Sequence, residues 1–355
     1  MDEDALIARI FAPLATSEGA EGLTDDAATF PCGEGDVVVT CDALASGVHF
    51  FPDDPPTALA AKALRVNLSD LAAKGAQPFG YLLALALPEG WTSAWAEAFA
   101  GGLAADQARY GVTLLGGDTL RASPGGGATI TITAFGRVPA GSAVRRRTAR
   151  PGDVLTVTGT IGDAALGLQC RHAPAFGLPQ DSADALRDAY WWPHPPVAAW
   201  RAVRAHARAA MDVSDGLVGD LTKMCRAAGV GATLHVERVP LSPHVRAAVA
   251  NDPSARDIAL TGGDDYQVLA AVPPGRGGVP RRPPPRRHRG RRHRARHGGV
   301  RPGPHRGWRP RDHLGRRPLP TLLSATVQAA TVKVASRPYQ GLAQGRRLAG
   351  VDRGV

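Results

Sequence analysis

A change in composition after Pro274 limits what this 355-residue chain can fold into. From Arg281 to Pro320 the sequence is almost entirely arginine, proline, histidine and glycine, without apolar periodicity. Such a segment cannot bury enough apolar surface to offset the entropy lost when it becomes ordered. We therefore expect the folded body to lie within residues 1–274, followed by a basic, disordered tail at residues 275–355.

The charge of the chain divides at the same point. The net formal charge of +10 is typical of a nucleic-acid-binding protein, but residues 275–355 carry +19 and residues 1–274 carry −9. The body is therefore acidic. Nucleic acid is an expected partner only through non-specific contacts with the basic tail.

The body alternates strand and helix patterns, which is typical of an α/β or α+β fold. The predicted strands are Val37–Cys41, Phe79–Leu87, Val112–Leu115, Ala128–Val138, Val154–Thr158, Ala232–Val236, Ile258–Leu260 and Tyr266–Val272. The predicted helices are Asp4–Leu14, Thr57–Lys74 with Thr57 as its cap, Thr92–Tyr110, Ala183–Tyr190, Val197–Ala209 and one that follows the GTIGD sequence. Because the basic stretch at 141–151 resembles a loop, we expect an N-terminal domain at 1–140 and a C-terminal domain at 141–274.

The sequence predicts no membrane span and no secretion. Its longest apolar run, Tyr81–Pro88, is far shorter than the roughly 20 residues that a spanning helix needs. The N-terminus is acidic where a signal peptide is basic. The four cysteines form no C-x-x-C pair, so we expect free thiols and a cytoplasmic location.

Aspartates recur at the ends of the predicted strands and helices. Carboxylates that converge there repel each other by roughly 4 kcal/mol per pair at 4 Å, at an effective dielectric near 20. A cluster of them implies bound cations, and oxygen ligands favour magnesium shared with a phosphate-bearing substrate. The candidates are Asp25, Asp26, Asp42, Asp70, Asp118 and Asp215.

Two glycine-containing blocks fit phosphate chemistry without a Walker sequence, which is absent from the chain. In GGDT, Gly117 allows the backbone to approach a phosphate and Asp118 can hold a metal. In DVSDGL, Ser214 can donate to an anion at the start of a helix, beside Asp212 and Asp215. Each block alone is more often a simple turn or helix cap.

Taken in order, the blocks are far more specific. DDAA, DALASGVHF, KALRVNLSDLAAKGA, GGDT, TGTIGDAALGL, DVSDGL and TGGDDYQVL resemble the thiamine-monophosphate kinase family, within the superfamily that includes aminoimidazole ribonucleotide synthetase. The resemblance covers about residues 6–274. It implies an α/β (α+β) architecture of two domains, an N-terminal mixed-sheet dimerisation domain and a C-terminal α/β domain. It also implies ATP-dependent phosphorylation of thiamine monophosphate to thiamine diphosphate, several Mg²⁺ ions and a homodimer.

The resemblance assigns roles to individual residues. The implied Mg²⁺ ligands are Asp26, Asp42, Asp70, Asp118, Asp212 and Asp215, with Thr40 and Cys41 beside Asp42. The implied ATP contacts are Gly117, Asp118, Arg146 and Ser214, and the implied thiamine-phosphate contacts are His49 and Asp264. The acceptor phosphate is mostly ionised at pH 7 because its second pKa is about 6. No general base is therefore expected, and Asp118 and Arg146 are the residues expected to handle charge in the transfer.

The chain departs from the family pattern in several places. Thr40–Cys41 replaces Ser-Thr, which removes one hydroxyl ligand unless the backbone serves instead. Asp264 replaces Glu and shortens the side chain by about 1.5 Å. Thr24 stands where the family usually has glycine, and Arg147–Thr148 stands where it has Ser-Gly. The tail replaces the C-terminal structure of the family. We favour a frameshifted reading as its origin, with a solvated extension and a nucleic-acid arm as alternatives.

Two other functions stay open from the sequence alone. The chain could be another ATP-using member of the superfamily, such as a hydrogenase-maturation or selenophosphate-forming enzyme. Those enzymes carry an essential terminal cysteine or selenocysteine motif, which none of the four cysteines here matches. Alternatively, an inactive body could carry a nucleic-acid-binding tail. For Arg146, a solvated basic loop is the competing interpretation.

Overall fold

The computed structural model describes residues 18–274, residue 12 and a short strand at residues 325–328. The predicted helix at 4–14 lies outside this part of the chain, apart from residue 12. The expected disordered tail at residues 275–355 also lies outside the described residues, apart from the strand at 325–328.

The first sheet has five strands in the order β1-β2-β5-β3-β4. Strands β3 and β4 are parallel, whereas the other neighbours are antiparallel, so the sheet is mixed as predicted. Two long helices, α1 and α2, accompany it. The bounds are β1 Ala28–Cys32, β2 Gly35–Ala45, α1 Pro56–Ala73, β3 Gln77–Leu87, α2 Ser93–Tyr110, β4 Thr113–Arg121 and β5 Thr129–Pro139.

Helix α1 is buried along almost its whole length, because it packs between the first sheet and strands of the second. Burial on all sides explains why Ala, Leu and Val make up most of this segment, and buried polar side chains such as Lys62 and Asp70 have polar partners. The prediction that Thr57 caps this helix is wrong. The helix begins at Pro56, whose fixed φ suits the first turn, after Pro55. Gly75 follows the helix with a φ of 68°.

The second sheet has five strands in the order β7-β9-β6-β10-β8, all paired antiparallel. Its strands are β6 Val154–Val157, β7 Ala209–Val213, β8 Gly231–Ala232, β9 Gln267–Val272 and β10 Ala325–Gln328. The helices are α3 Asp163–Gln169, α4 Gln180–Trp191, α5 Trp200–His206, α6 Leu217–Ala228, α7 Pro243–Asn251 and α8 Ser254–Thr261. Strand β10 was not predicted.

Two strand predictions in this half differ from the structure. Ile258–Leu260 lies in α8, where Ala255 and Ala259 are buried at helical spacing. The strand predicted at 232–236 is limited to β8, and a single 3-10 turn covers Val236–Arg238.

The GGDT sequence lies inside strand β4, although the sequence predicted that the strand would stop at Leu115. The pairing with β3 shifts register beside Gly116, so the strand passes through both glycines. A Cβ atom on Gly117 would lie 1.8 Å from the carbonyl oxygen of Leu83. Glycine is therefore needed at position 117 for strand packing, whatever else it does.

All four cysteines are free thiols; Cys170 and Cys225 are buried. None of the helices in the described part of the chain combines the length and the apolar character needed to cross a membrane.

Candidate functional site

Three carboxylates from distant parts of the chain meet between the two sheets. Asp26 precedes β1, Asp70 lies near the end of the buried helix α1, and Asp212 lies in β7. Each contributes one carboxylate oxygen to a group whose atoms all lie within 4.8 Å of one another. We call these three residues the carboxylate cluster.

Burial and repulsion between carboxylates raise the pKa values of Asp70 and Asp212 in the carboxylate cluster. Burial raises the pKa of Asp70 well above its usual range, and the charges of Asp212 and Asp42 raise it further. Burial, together with the charges of Asp220 and Asp42, raises the pKa of Asp212 to about 7. Both acids therefore bind a proton more readily than an exposed aspartate does, and a bound cation would favour their ionised forms.

Strand β2 places Thr40 and Asp42 at the carboxylate cluster. The Thr40 hydroxyl donates to Asp70 Oδ2 at 2.5 Å, and the backbone N–H of Asp42 donates to Asn67 Oδ1 at 3.2 Å. Burial raises the pKa of Asp42, and the charge of Asp215 adds to this effect, while a hydrogen bond with Asp70 opposes it.

Cys41 lies on the other face of β2, because successive side chains of a strand point to opposite sides. Its thiol is exposed and accepts a hydrogen bond from Thr133 Oγ1 at 3.3 Å. Of the predicted pair beside Asp42, only Thr40 therefore has its side chain at the carboxylate cluster.

Two cations also contact the carboxylate cluster. Lys74 Nζ lies 2.5 Å from both Asp25 Oδ1 and Asp26 Oδ2, and donates to the carbonyl oxygen of Ala210 at 3.1 Å. The Arg146 guanidinium contacts Asp26 Oδ1, and the backbone N–H of Arg146 donates to Asp25 Oδ2 at 3.2 Å. Arg146 was predicted, but Lys74 was not.

The turn before α6 carries Ser214 and Asp215. Ser214 is half-buried and Asp215 is exposed. The Lys223 ammonium contacts Asp215 and lies 3.4 Å from Asp220 Oδ1, while the backbone N–H of Asp215 donates to Asp220 Oδ2 at 2.9 Å. Burial raises the pKa of Asp220 to about 6. The spacing of Asp220 and Lys223, three residues apart on a helix, is the sequence signal that could have identified this pair.

Asp118 and Gly117 lie apart from the carboxylate cluster, on the exposed strand β4. Asp118 Oδ1 accepts a hydrogen bond from the backbone N–H of Thr119 at 2.8 Å. The carboxylate of Asp118 is not one of the three that converge within 4.8 Å.

A buried lysine joins the two residues that the resemblance places at the thiamine end. Lys62 Nζ lies 3.0 Å from Asp264 Oδ2 and 3.4 Å from the carbonyl oxygen of His49, and it stands 4.0 Å from the centre of the Tyr190 ring. The Tyr266 hydroxyl donates to Asp264 Oδ1 at 3.0 Å. Lys62 was not predicted, because nothing in its local sequence indicates a partner about 200 residues away.

Comparison with known proteins identifies the family. Family models described as AIR synthase related protein, N-terminal domain and C-terminal domain, match residues 24–138 and 150–277. A thiamine-monophosphate kinase of Caulobacter vibrioides is 43% identical over 273 residues, which cover 76% of each chain. The chain belongs to the thiamine-monophosphate kinase family.

Solved structures of thiamine-monophosphate kinases have the same fold. The enzyme from Stenotrophomonas maltophilia K279a is 38% identical, with a TM-score of 0.63 over 77% of this chain and 87% of that one. A ThiL structure complexed with AMPPCP and TMP is 28% identical, with a TM-score of 0.71 over 78% of this chain and 89% of that one. The predicted two-domain, mixed α/β fold class is therefore confirmed, as is the prediction that the chain is a kinase.

The carboxylate cluster has the chemistry of a site for a hard divalent cation. It offers oxygen ligands only, and it joins four carboxylates to two cationic side chains when Asp25, Lys74 and Arg146 are included. Asp26 Oδ2 is buried and accepts no aligned hydrogen bond from any described residue, despite its ion pair with Lys74. These features fit Mg²⁺.

Proposed function

We propose that this protein transfers the γ-phosphoryl group of ATP to thiamine monophosphate, forming thiamine diphosphate, with Mg²⁺ at the carboxylate cluster. The convergence of Asp26, Asp70 and Asp212 beside Arg146, in a chain of this kinase family, is the observation that carries the proposal. The relative solved with AMPPCP, an ATP analogue, and TMP supports the choice of substrates.

The residues proposed to hold Mg²⁺ come from both halves of the chain. Asp26, Asp70 and Asp212 form the centre, Asp42 and Asp215 lie beside them, and Thr40 orients Asp70 through its hydroxyl. Cys41 would contribute only through its backbone, and Asp118 would act from the exposed strand β4. When bound, Mg²⁺ neutralises the charge of the phosphates during transfer.

Arg146 is proposed to contact ATP as well as Asp26. Its Nε atom is buried and donates no hydrogen bond to any described residue. A phosphate oxygen would satisfy this donor, and the guanidinium would stabilise the charge that develops during transfer. The backbone N–H groups at the start of α6, beside Ser214, provide a second set of anion donors.

The thiamine end of the substrate is proposed to lie at His49 and Asp264. Lys62, whose side chain is 3% exposed, joins them through its ammonium, and Asp264 has a second hydrogen bond from Tyr266. The acceptor phosphate is already mostly ionised at pH 7, so the chain needs to orient it rather than deprotonate it.

We also propose that the protein forms a homodimer through its first sheet. Strand β4 is the edge of that sheet, and every one of its residues is exposed. Leu114, Leu115 and Leu120 expose about half of their surface there. An exposed apolar edge strand is a site of association. Sedimentation of the protein should give twice the monomer mass, and Leu114→Glu should shift it toward monomer.

The domain boundary is proposed to lie near residue 140. The strand β5 ends the first sheet at Pro139, and the two family matches leave residues 139–149 between them. The first domain is then 1–140 and the second 141–274.

The direct test is to incubate the full chain with ATP, Mg²⁺ and thiamine monophosphate and to measure thiamine diphosphate by chromatography. We expect product that depends on all three additions, and we expect Asp118→Asn to reduce it. A folded protein that forms no thiamine diphosphate would contradict the proposal.

A further inference from the structure

Lys74 is a buried cation within a metal-type carboxylate site. Its side chain is 2% exposed, and its ammonium donates hydrogen bonds to Asp25 Oδ1 at 2.5 Å and to the carbonyl oxygen of Ala210 at 3.1 Å, and forms an ion pair with Asp26 Oδ2. Two of the three N–H bonds of the ammonium are therefore engaged in hydrogen bonds. Lys74 is therefore held in one place by the two halves of the protein together.

The charges around Lys74 keep its ammonium in place when a metal ion binds. Asp25, Asp26, Asp70 and Asp212 contribute four carboxylates, whereas Lys74 and Arg146 contribute two cations. Asp25 and Asp26 have side chains that are 4% and 5% exposed, so loss of Lys74 would leave buried Asp25 without an ion-pair partner and Asp26 with Arg146 alone. The uncompensated charge lies on the side of Asp70 and Asp212.

We propose that Lys74 is a permanent cation of the carboxylate cluster, which takes the place of one divalent ion beside Asp25 and Asp26 and holds those two carboxylates in place. This inference rests on the proposed Mg²⁺ site but not on the identity of the substrates. Lys74 acts as a positioning residue and touches no reacting group. The charge of Lys74 also opposes the rise in the pKa values of Asp70 and Asp212.

Arg171 provides a matched control for Lys74. It is also a buried cation that contacts two successive aspartates, Asp53 and Asp54. Those aspartates are not part of the group that converges within 4.8 Å. Replacement of Arg171 therefore removes a buried cation of the same kind without changing the charge of the carboxylate cluster.

The test is direct titration of the full chain with Mn²⁺, as a paramagnetic probe for the divalent site, without nucleotide. We compare the wild type with Lys74→Met, Lys74→Arg and Arg171→Met. If Lys74 occupies a cation position, Lys74→Met should bind one additional Mn²⁺ ion or bind Mn²⁺ about tenfold more tightly, because a unit charge at close range is removed. Lys74→Arg and Arg171→Met should bind as the wild type does.

Unchanged or weaker Mn²⁺ binding by Lys74→Met would overturn the proposal. If that variant does not fold, the double variant Asp25→Asn with Lys74→Met keeps the net charge of the cluster. It should bind Mn²⁺ within about twofold of the wild type, and weaker binding would also overturn the proposal. A protein that binds Mn²⁺ as expected but forms no thiamine diphosphate would contradict only the proposed function.

Discussion

The protein uses the same ion-pair arrangement twice, with different consequences. Lys74 contacts Asp25 and Asp26, and Arg171 contacts Asp53 and Asp54, so each pair of successive aspartates surrounds one buried cation. The Arg171 group is completed by Trp191, whose Nε1 donates to Asp54 Oδ1 at 2.9 Å. The Lys74 group instead faces Asp70 and Asp212. The difference lies in the additional carboxylates, not in the pairing.

The pKa values of the aspartates shift in opposite directions in the two groups. A hydrogen bond from Arg171 lowers the pKa of Asp53, as in an ordinary structural ion pair. Burial raises the pKa values of Asp70 and Asp212 instead. A structural ion pair stabilises the fold without further partners. The ionised forms of the carboxylate cluster repel each other, which costs stability until a ligand compensates the charge.

The largest expected effect is on enzymatic activity, which should depend on the carboxylate cluster and not on the Arg171 group. Asp212→Asn should lower the rate of thiamine diphosphate formation by about 10²–10³-fold, because it removes a central ligand of the proposed metal site. The melting temperature of the metal-free protein should stay the same or rise, since one repelling charge is removed. A clear loss of metal-free stability would instead give Asp212 a structural role.

The second prediction tests the other group by stability. Asp54→Asn should lower the free energy of unfolding by about 3 kcal/mol, because it leaves Arg171 without its buried partner. The response of the melting temperature to Mg²⁺ should equal that of the wild type. Urea denaturation with and without Mg²⁺ measures both quantities. A lost Mg²⁺ response would mean that the two groups are coupled.

The pH dependence should also differ between the groups. The pKa of Asp212 is raised from 3.8 to about 7, so the metal-free folded state binds more protons than the unfolded state between about pH 4 and 7. Stability of the metal-free protein should therefore fall as the pH rises through this window. Because Mg²⁺ needs the ionised carboxylates, its stabilising effect should be several-fold larger at pH 8 than at pH 6.

The Arg171 group is the control for this pH dependence. The pKa of Asp53 is lowered, so its contribution is present at pH 6 and at pH 8 and is lost only as the pH falls below the usual range of aspartate. Thermal melts of Arg171→Met at pH 6 and pH 8 should therefore show the same change in Mg²⁺ response as the wild type. An Mg²⁺ response that is independent of pH in all chains would contradict the link to Asp212.

The sequence predicted the carboxylates of the candidate site more readily than their partners. Asp26, Asp70 and Asp212 lie in blocks whose order is specific, and the structure brings them together. The position of Lys74, four residues after Asp70, suggests a local helical pair. Its ammonium instead contacts Asp25 and Asp26, almost 50 residues earlier in the chain. Such contacts depend on how α1 packs, which local spacing does not encode.

Glycine-rich and short apolar segments account for other differences. The two glycines of GGDT suggest a turn, but the structure places both in β4 and uses Gly117 for close packing against β3. A three-residue apolar run such as Ile258–Leu260 fits a strand or a helix equally well, and the neighbouring buried alanines decide for the helix. In both segments, tertiary packing overrides the local pattern.

The smallest expected effect concerns two neighbours on opposite faces of β2. Thr40→Val should weaken Mg²⁺-dependent activity about fivefold, because it removes the hydroxyl that donates to Asp70 Oδ2 at 2.5 Å. Cys41→Ala should change activity less than twofold, because the thiol is exposed on the other face and only its backbone can reach the site. Activity measured across Mg²⁺ concentrations distinguishes the two. If Cys41→Ala proves more harmful than Thr40→Val, then the thiol itself contributes to the metal site, and the face of β2 assigned to binding is wrong.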